Sequence, residues 1–499
     1  MAGFFSDPPL LGLVLVLLGA FMVTRLPYFW YNDSVRLSQD SGSYMDVVKT
    51  LQEGHWPRFI FRTPGYPLFV WMISWVTPRW MAVICVQNLL SFLACVALVA
   101  AVRRYRAPLA FAATVALCGY LGSTQVLLYD VSLLSDSLYT VLLILTAAAL
   151  FAALAKKTPL GFAVLSAAMV AAILVRPAGM YLIVIYALVL AYLAWDRRSR
   201  ACLLGFALPL PAMLLAFCAY NYATIAQFVI SPFGEANLAG ATALFWEPDP
   251  SLPEPVNRAL EALPASYTQV GITQAELDTV RTSWDPDPLF DIYAKAYNRL
   301  VWSAGWGSGS RFGSGTYLQS RGYIKQVSLV AIRRHPSLYA KYVWVNMVMF
   351  FRGVGYRFDV RTAVAYREAG AAGPAVSAPV GPGTPAAAPF AERCVEAAQS
   401  GWQRLHGVLF QQTAWSWACG CVLLASAVRL LACRGRHEGA FILLALTLMP
   451  LGASLVVCLV ETATDRYSYP TQFIYYLSVA LLPLLATGAA RRTPDPCAA

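Results

Sequence analysis

The side chains best suited to chemistry gather just after the first apolar run. The stretch begins Ser38-Gln39-Asp40-Ser41-Gly42-Ser43-Tyr44 and continues to Arg58-Phe59-Ile60-Phe61-Arg62-Thr63-Pro64-Gly65-Tyr66-Pro67-Leu68. A carboxylate can accept a proton, and an arginine fork can hold two oxygens of an anion. Each residue also has a plainer use: an Asp at a helix start is an N-cap, and an arginine at this depth is an interfacial anchor. Tyr44, Val47, Val48 and Leu51 recur at steps of three and four, so an amphipathic helix is expected to lie flat here, with Asp40 at its start and Gly54 stopping it. Gly65 between Pro64 and Pro67 is a rigid turn that sets how the next segment enters the membrane. Further along, Asp130 and Asp136 flank one short turn, Arg176-Pro177 forms a corner, and Arg466 stands near Glu461 and Asp465. Asp130 reads as a helix cap or solvated turn, and the cluster around Arg466 serves structural pairing as well as it serves binding.

A membrane must hold these groups in place. The chain has 499 residues, of which 58% are hydrophobic and 13% charged. A soluble surface needs roughly a quarter charged residues, so lipid must solvate much of this chain. That excludes a cytosolic enzyme, a disordered chain and a disulfide-stapled secreted domain. The net charge of +11 does not point to nucleic acid, because the cations fall mostly between apolar runs. A helical crossing takes about 20 apolar residues. Ten spans are expected, at 10–23, 80–102, 107–129, 138–155, 159–175, 178–195, 201–222, 409–431, 441–460 and 473–490. Stretches 67–76 and 338–351 are short and read as interfacial. The expected fold is thus an all-α polytopic membrane protein in the cytoplasmic (inner) membrane. This count puts Arg103, Arg104 and Arg106, Lys156 and Lys157, Arg197, Arg198 and Arg200, Arg434 and Arg436, and Arg491 and Arg492 on one side. Positive-inside makes that side cytoplasmic. The first run has no basic n-region and no small-x-small site before Thr24, so it reads as a span and not as a signal peptide.

The large segments then face outward. They are 24–79, the turn 130–137, residues 223–408 and residues 461–472. Three parts are expected: residues 1–222 as an N-terminal membrane module with the reactive first outer loop, 223–408 as an extracytoplasmic segment, and 409–499 as a C-terminal membrane module. Within the middle part, 246–297 has the mix of a small folded lobe, while 368–389 is nearly all Ala, Gly, Pro and Val and reads as a mobile loop. Trp246, Trp284, Trp302 and Trp306 could stack on sugar rings or build the lobe's core. Most of the eleven cysteines fall in spans and only Cys394 faces outward, so no disulfide framework is available. Gly305-Trp306-Gly307-Ser308-Gly309-Ser310-Arg311 lacks the Gly-Lys-Ser/Thr ending of a phosphate loop. The four histidines show no ligand spacing. No metal ligand is assigned, although the outer carboxylates leave room for a divalent cation.

The order of these pieces resembles a family. Asp40-Ser41-x-x-Tyr44, Gly54 and Arg62-x-Pro64-Gly65-Tyr66-Pro67-Leu68-Phe69 are similar to the first outer loop of GT-C glycosyltransferases of the protein O-mannosyltransferase and aminoarabinose-transferase kind. Leu134-Ser135-Asp136-Ser137-Leu138-Tyr139, Arg176-Pro177-Ala178-Gly179, Asn221-Tyr222 before Ser231-Pro232-Phe233-Gly234, Arg334-His335-Pro336-x-x-Tyr339 and Arg466-Tyr467-x-Tyr469-Pro470 extend the likeness. It runs in order from about residue 25 to 235 and returns near the end. The resemblance implies a GT-C fold and transfer of a sugar from a polyprenyl-phosphate donor to an acceptor hydroxyl of a protein, lipid or glycan, at the outer face. It implies Asp40 as catalytic base, Asp136 as its assistant and Arg62 as the phosphate-binding cation. Tyr44, Tyr66, Arg176 and Arg466 are then expected to bind substrate. A single displacement would invert the anomeric centre. The competing reading is a polytopic transporter or lipid-linked glycan flippase, which would carry ionisable residues inside its spans and paired halves. A non-catalytic scaffold would have no reason to collect Asp40, Arg62, Asp136 and Arg466 at one face.

Overall fold

The computed structural model describes residues 7–31, 35–38, 40–196, 200–307, 310–312, 316–352, 409–433, 437–460 and 469–486. The stretch 368–389, Cys394, and Arg466 with Glu461 and Asp465 lie outside them. Among the described residues there is no strand, only one isolated parallel bridge between Arg36 and Ser132.

In chain order the first helices are α1 (Pro8–Tyr31), α2 (Ser41–Gln52), α3 (Gly65–Ser74), α4 (Trp80–Tyr105), α5 (Leu109–Leu121), α6 (Thr124–Asp130), α7 (Ser135–Lys156) and α8 (Pro159–Val175). A 3-10 turn (Pro177–Tyr181) leads into α9 (Leu182–Trp195), followed by α10 (Leu203–Ala207) and α11 (Pro209–Ile225). Local chemistry starts and stops these helices. Thr158 caps Gly161 N at 3.2 Å ahead of Pro159, which suits a first helical position. Gly54 ends the flat helix with φ +79°, a conformation open to glycine.

Among the described residues seven helices are long and apolar enough to cross a membrane, where ten spans were expected. The expected span 107–129 is broken into α5 and α6 with a 68° bend. Gly122 is a weak helix former and Ser123 turns extended, at ψ 129°, which ends one helix and starts the next. Counting that pair as one span gives eight. The helix at 159–175 has only 17 residues, about 25 Å at 1.5 Å per residue. The expected last span appears as α21 (Gln472–Ala480) and α22 (Pro483–Ala486), with Pro483 starting the second.

Arg103, Arg104, Arg106, Lys156, Lys157 and Arg200 collect at one end of the bundle. Asp7 before α1 takes Nε and Nη2 of Arg103 at 2.7 Å each, and Lys157 bridges Asp196 at 3.1 Å and Glu438 at 3.2 Å. Following each helix from this basic end brings Tyr31, Trp80, Ser135 and Val175 to the opposite end, where α2 and α3 lie.

Beyond α11 the chain folds a lobe with its own apolar core, distinct from that of the membrane helices. It contains α12 (Gly234–Thr242), α13 (Glu254–Glu261), α14 (Leu263–Gln269), α15 (Gln274–Thr282), α16 (Pro286–Lys295), α17 (Tyr317–Arg334) and α18 (Pro336–Arg352). Thr273 and Glu276 close a capping box at the start of α15. The helix expected at 338–351 is α18, and it joins the two cores: Tyr342 and Val345 belong to the lobe, while Phe350 belongs to the membrane core. Its Lys341 is buried and donates to the carbonyls of Val280 and Arg281 at 2.7 and 2.9 Å. Two long apolar helices, α19 (Gln412–Ala432) and α20 (Glu438–Val460), precede α21.

Candidate active site

Asp40 occupies the N-cap position of α2, but its side chain makes no capping hydrogen bond. Its Oδ1 instead accepts Nη2 of Arg62 at 2.5 Å. Arg62 is held on two further sides. Its Nε donates to Ser43 Oγ at 2.6 Å, and its guanidinium carbon stands 4.6 Å from the Tyr44 ring centre. An arginine tied at three points is preorganised. The side chains of Arg62 and Asp40 are 19% and 29% exposed, so this pair is within reach of a ligand.

Close packing explains why the two residues meet. A Cβ on Gly65 would stand 2.6 Å from Val175 Cγ2 and 2.8 Å from Leu174 O. Only glycine lets α3 start so near the end of α8. Thr63 Oγ1 adds a bond to Val175 O at 3.2 Å, which pins the Arg62 turn on that helix end. From the other side, Ser41 Oγ donates to Leu133 O at 2.9 Å and Tyr44 OH meets Ser135 Oγ at 2.7 Å. Tyr66 packs edge-on against Tyr44, with ring centres 4.9 Å apart, and donates its hydroxyl to Gln87 Oε1 at 2.7 Å. Tyr44 and Tyr66 are both buried, so they support Arg62 from beneath.

The residue after Val175 is Arg176, and it is ion-paired with Asp136 at the start of α7. Asp136 is fully buried, and Arg176 is 8% exposed. In this arrangement a ligand meets Asp40 and Arg62 first. Arg176 also lines a crevice with Tyr139, Ala178, Ala453, Val457, Pro470 and Thr471 that has room for about one water molecule. Among the described residues no three His, Cys, Asp or Glu side chains group as a metal cluster.

The lobe approaches the same loop. Phe61, next to Arg62, lies 5.8 Å from the Phe233 ring and 5.7 Å from the Tyr317 ring. Trp246 and Trp306 are buried in the lobe core, Trp302 stacks on Phe233 at 5.3 Å, and Trp284 is 55% exposed beside Lys341. At the end of α17 the Arg334 guanidinium takes Glu247 at 2.9 Å and Asp249 at 2.5 Å, tying that helix to the segment after α12. The hydrogen bond from Arg334 holds the Glu247 carboxyl below the usual range, with His335 at 3.2 Å adding to it.

One feature corrects the sequence reading. Asp130 is neither a cap nor a solvated turn: it forms a 2.6 Å ion pair with Arg25, both side chains 1% exposed. Helix α1 runs past the expected end at Val23 and carries Arg25 into the bundle. The available signal was two opposite charges at the ends of two apolar runs on one side of the membrane. Compared with family models, curated proteins and solved structures, the chain shows no match.

Proposed function

We propose that this chain is a GT-C type membrane glycosyltransferase that moves a sugar from a polyprenyl-phosphate donor to an acceptor hydroxyl. The observation that carries the reading is the partly exposed Asp40–Arg62 pair, set where long apolar helices end. Positive-inside gives the end with Arg103 and Lys157 to the cytoplasm, so the pair faces outward. The bent α5–α6 pair, α8 and the segment from α21 onward would complete about ten spans.

The chemistry follows from the two groups. The donor phosphate takes the Arg62 fork, which frees the Asp40 carboxylate. Asp40 accepts the acceptor's hydroxyl proton as that oxygen bonds to the anomeric carbon. The bond from that carbon to the phosphate oxygen breaks, and its electron pair leaves with the polyprenyl phosphate, whose charge Arg62 stabilises. One displacement inverts the anomeric centre, and Asp40 then yields its proton to water. Arg176 holds Asp136 behind this site, and the lobe beside Phe61 faces the acceptor.

Mass spectrometry of cell-envelope glycans and glycoproteins, with and without the gene, tests the reading. The expected result is loss of one sugar from a defined acceptor; an unchanged profile counts against it. A transporter reading draws on one observation, the buried Arg25–Asp130 pair inside the helices. Vesicles loaded with labelled polyprenyl-phosphate sugar separate the two. Transport moves the label to the other leaflet with its glycosidic bond intact.

A further inference from the structure

The Arg25–Asp130 pair is buried among membrane helices and takes no part in the displacement proposed above. Removing charge from water is costly, so a buried ion pair of this kind persists only with its remaining donors and acceptors met. Here they are met closely. Arg25 Nη1 donates to Thr24 Oγ1 at 2.7 Å and to the carbonyl of Leu121, and Nε reaches Asn88 Oδ1 at 3.4 Å. Leu121 is the last residue of α5, whose carbonyl loses its helical partner because the helix breaks at Gly122 and Ser123. Arg25 thus caps the break that its partner's helix begins from.

Asp130 passes that placement outward by two routes. Its Oδ1 accepts Ser137 Oγ at 2.6 Å, in the first turn of α7 beside Asp136. Its carbonyl accepts Asn88 Nδ2 at 3.0 Å and Gln87 Nε2 at 3.2 Å, and Gln87 Nε2 also reaches Ser132 O at 3.1 Å. Gln87 Oε1 in turn accepts the Tyr66 hydroxyl, Tyr66 abuts Tyr44, and Tyr44 underlies the Arg62 guanidinium. A parallel bridge between Arg36 and Ser132, with Leu133 N donating to Arg36 O at 3.0 Å, ties the start of the outer loop to the same turn.

We infer that Arg25 and Asp130 are positioning residues: their buried pair fixes the bent α5–α6 element and, through Ser137 and Gln87, holds both the Asp136 turn and the Tyr66–Tyr44 base of Arg62 in register. The pair is a static brace, since Nε, Nη1 and Nη2 of Arg25 are all engaged. What the outer pairs do rests on the glycosyltransferase reading; the mechanical coupling does not.

The test is hydrogen exchange followed by mass spectrometry on the full chain in lipid nanodiscs, together with a titration of decaprenyl phosphate. Asp130→Asn is compared with the wild type, with Arg25→Lys, and with the double variant Arg25→Met/Asp130→Leu. The double variant leaves no lone buried charge and so keeps the fold if Asp130→Asn does not. The coupling predicts that exchange in 131–137 and in 36–66 quickens about tenfold or more in the Asp130→Asn and double variants, while the lobe at 254–300 keeps its wild-type rates. Arg25→Lys, which keeps the charge for Asp130 but loses the fork, gives exchange and decaprenyl phosphate affinity between those of the wild type and Asp130→Asn; a lysine variant as fast-exchanging as Asp130→Asn overturns the role of the charge pair. Unchanged exchange in 36–66, or an equal rise throughout the lobe, overturns the inference. If the wild type itself does not bind decaprenyl phosphate, the proposed function fails, and the exchange contrast still decides the coupling.

Discussion

Asp40→Asn should separate binding from turnover, because in the free protein Asp40 and the donor phosphate compete for one cation. Arg62 Nη2 lies 2.5 Å from Asp40 Oδ1, with the two side chains 19% and 29% exposed. An ion pair so open to water is worth about 0.5–1 kcal/mol. Phosphate must overcome that amount before it can use the fork. Asparagine has nearly the same shape and keeps a carbonyl oxygen, but it gives up the charge. Affinity for a polyprenyl phosphate should therefore rise roughly two- to fivefold. Transfer should fall in the opposite direction, by at least ~10²-fold, since no other group then takes the hydroxyl proton. Decaprenyl phosphate titrated into purified protein reads the first effect, and labelled sugar released from its lipid carrier reads the second. Expression and melting temperature should stay near those of the wild type. Retained turnover removes Asp40 from the mechanism. Weaker phosphate binding would mean that Asp40 holds Arg62 in place and does not compete for it.

Three further perturbations probe the surroundings. Arg62→Ala removes a charge-assisted contact worth about 1.5–3 kcal/mol, so decaprenyl phosphate should bind tenfold to about a hundredfold more weakly with little change in melting temperature; equal affinity would remove Arg62 from phosphate binding. Gly65→Ala would set a methyl group 2.8 Å from the backbone atoms Leu174 O and Val175 N, which cannot yield as a flexible side chain would. Lifting α3 off α8 should cost about 1–3 kcal/mol, read as a lower melting temperature, and an unchanged one would show that the contact gives way. In the lobe, the Arg334 hydrogen bond lowers the Glu247 pKa, so its stabilising effect is present above the ordinary glutamate value of 4.5 and is lost as pH falls through the folded value. Fluorescence of the buried Trp246 and Trp306 should report lobe unfolding that steepens below pH 4.5, and Glu247→Gln should flatten that dependence.

The parts legible along the chain are those governed by neighbours in sequence. Apolar runs of sufficient length announced α1, α4, α7, α9, α19 and α20, because a helix in lipid must satisfy its backbone within itself. The three- and four-residue spacing of Tyr44, Val47, Val48 and Leu51 announced α2, and Gly54 announced its end. Residue types alone also drew attention to Asp40 and Arg62. Their pairing was not legible, since 22 positions separate them and the contact depends on Gly65 letting α3 touch Val175.

Arg25 and Asp130 are 105 positions apart, and Asp130 on its own reads as a helix cap or solvated turn. Only packing turns them into one buried pair, because the bend at Gly122 and Ser123 must first swing Asp130 inward and leave the Leu121 carbonyl for Arg25. A helix that is apolar on every side shows that it belongs in the bilayer, but not which side meets lipid and which meets protein. That choice is made by small residues, breaks and buried polar partners arriving from distant parts of the chain, and so it belongs to the tertiary structure.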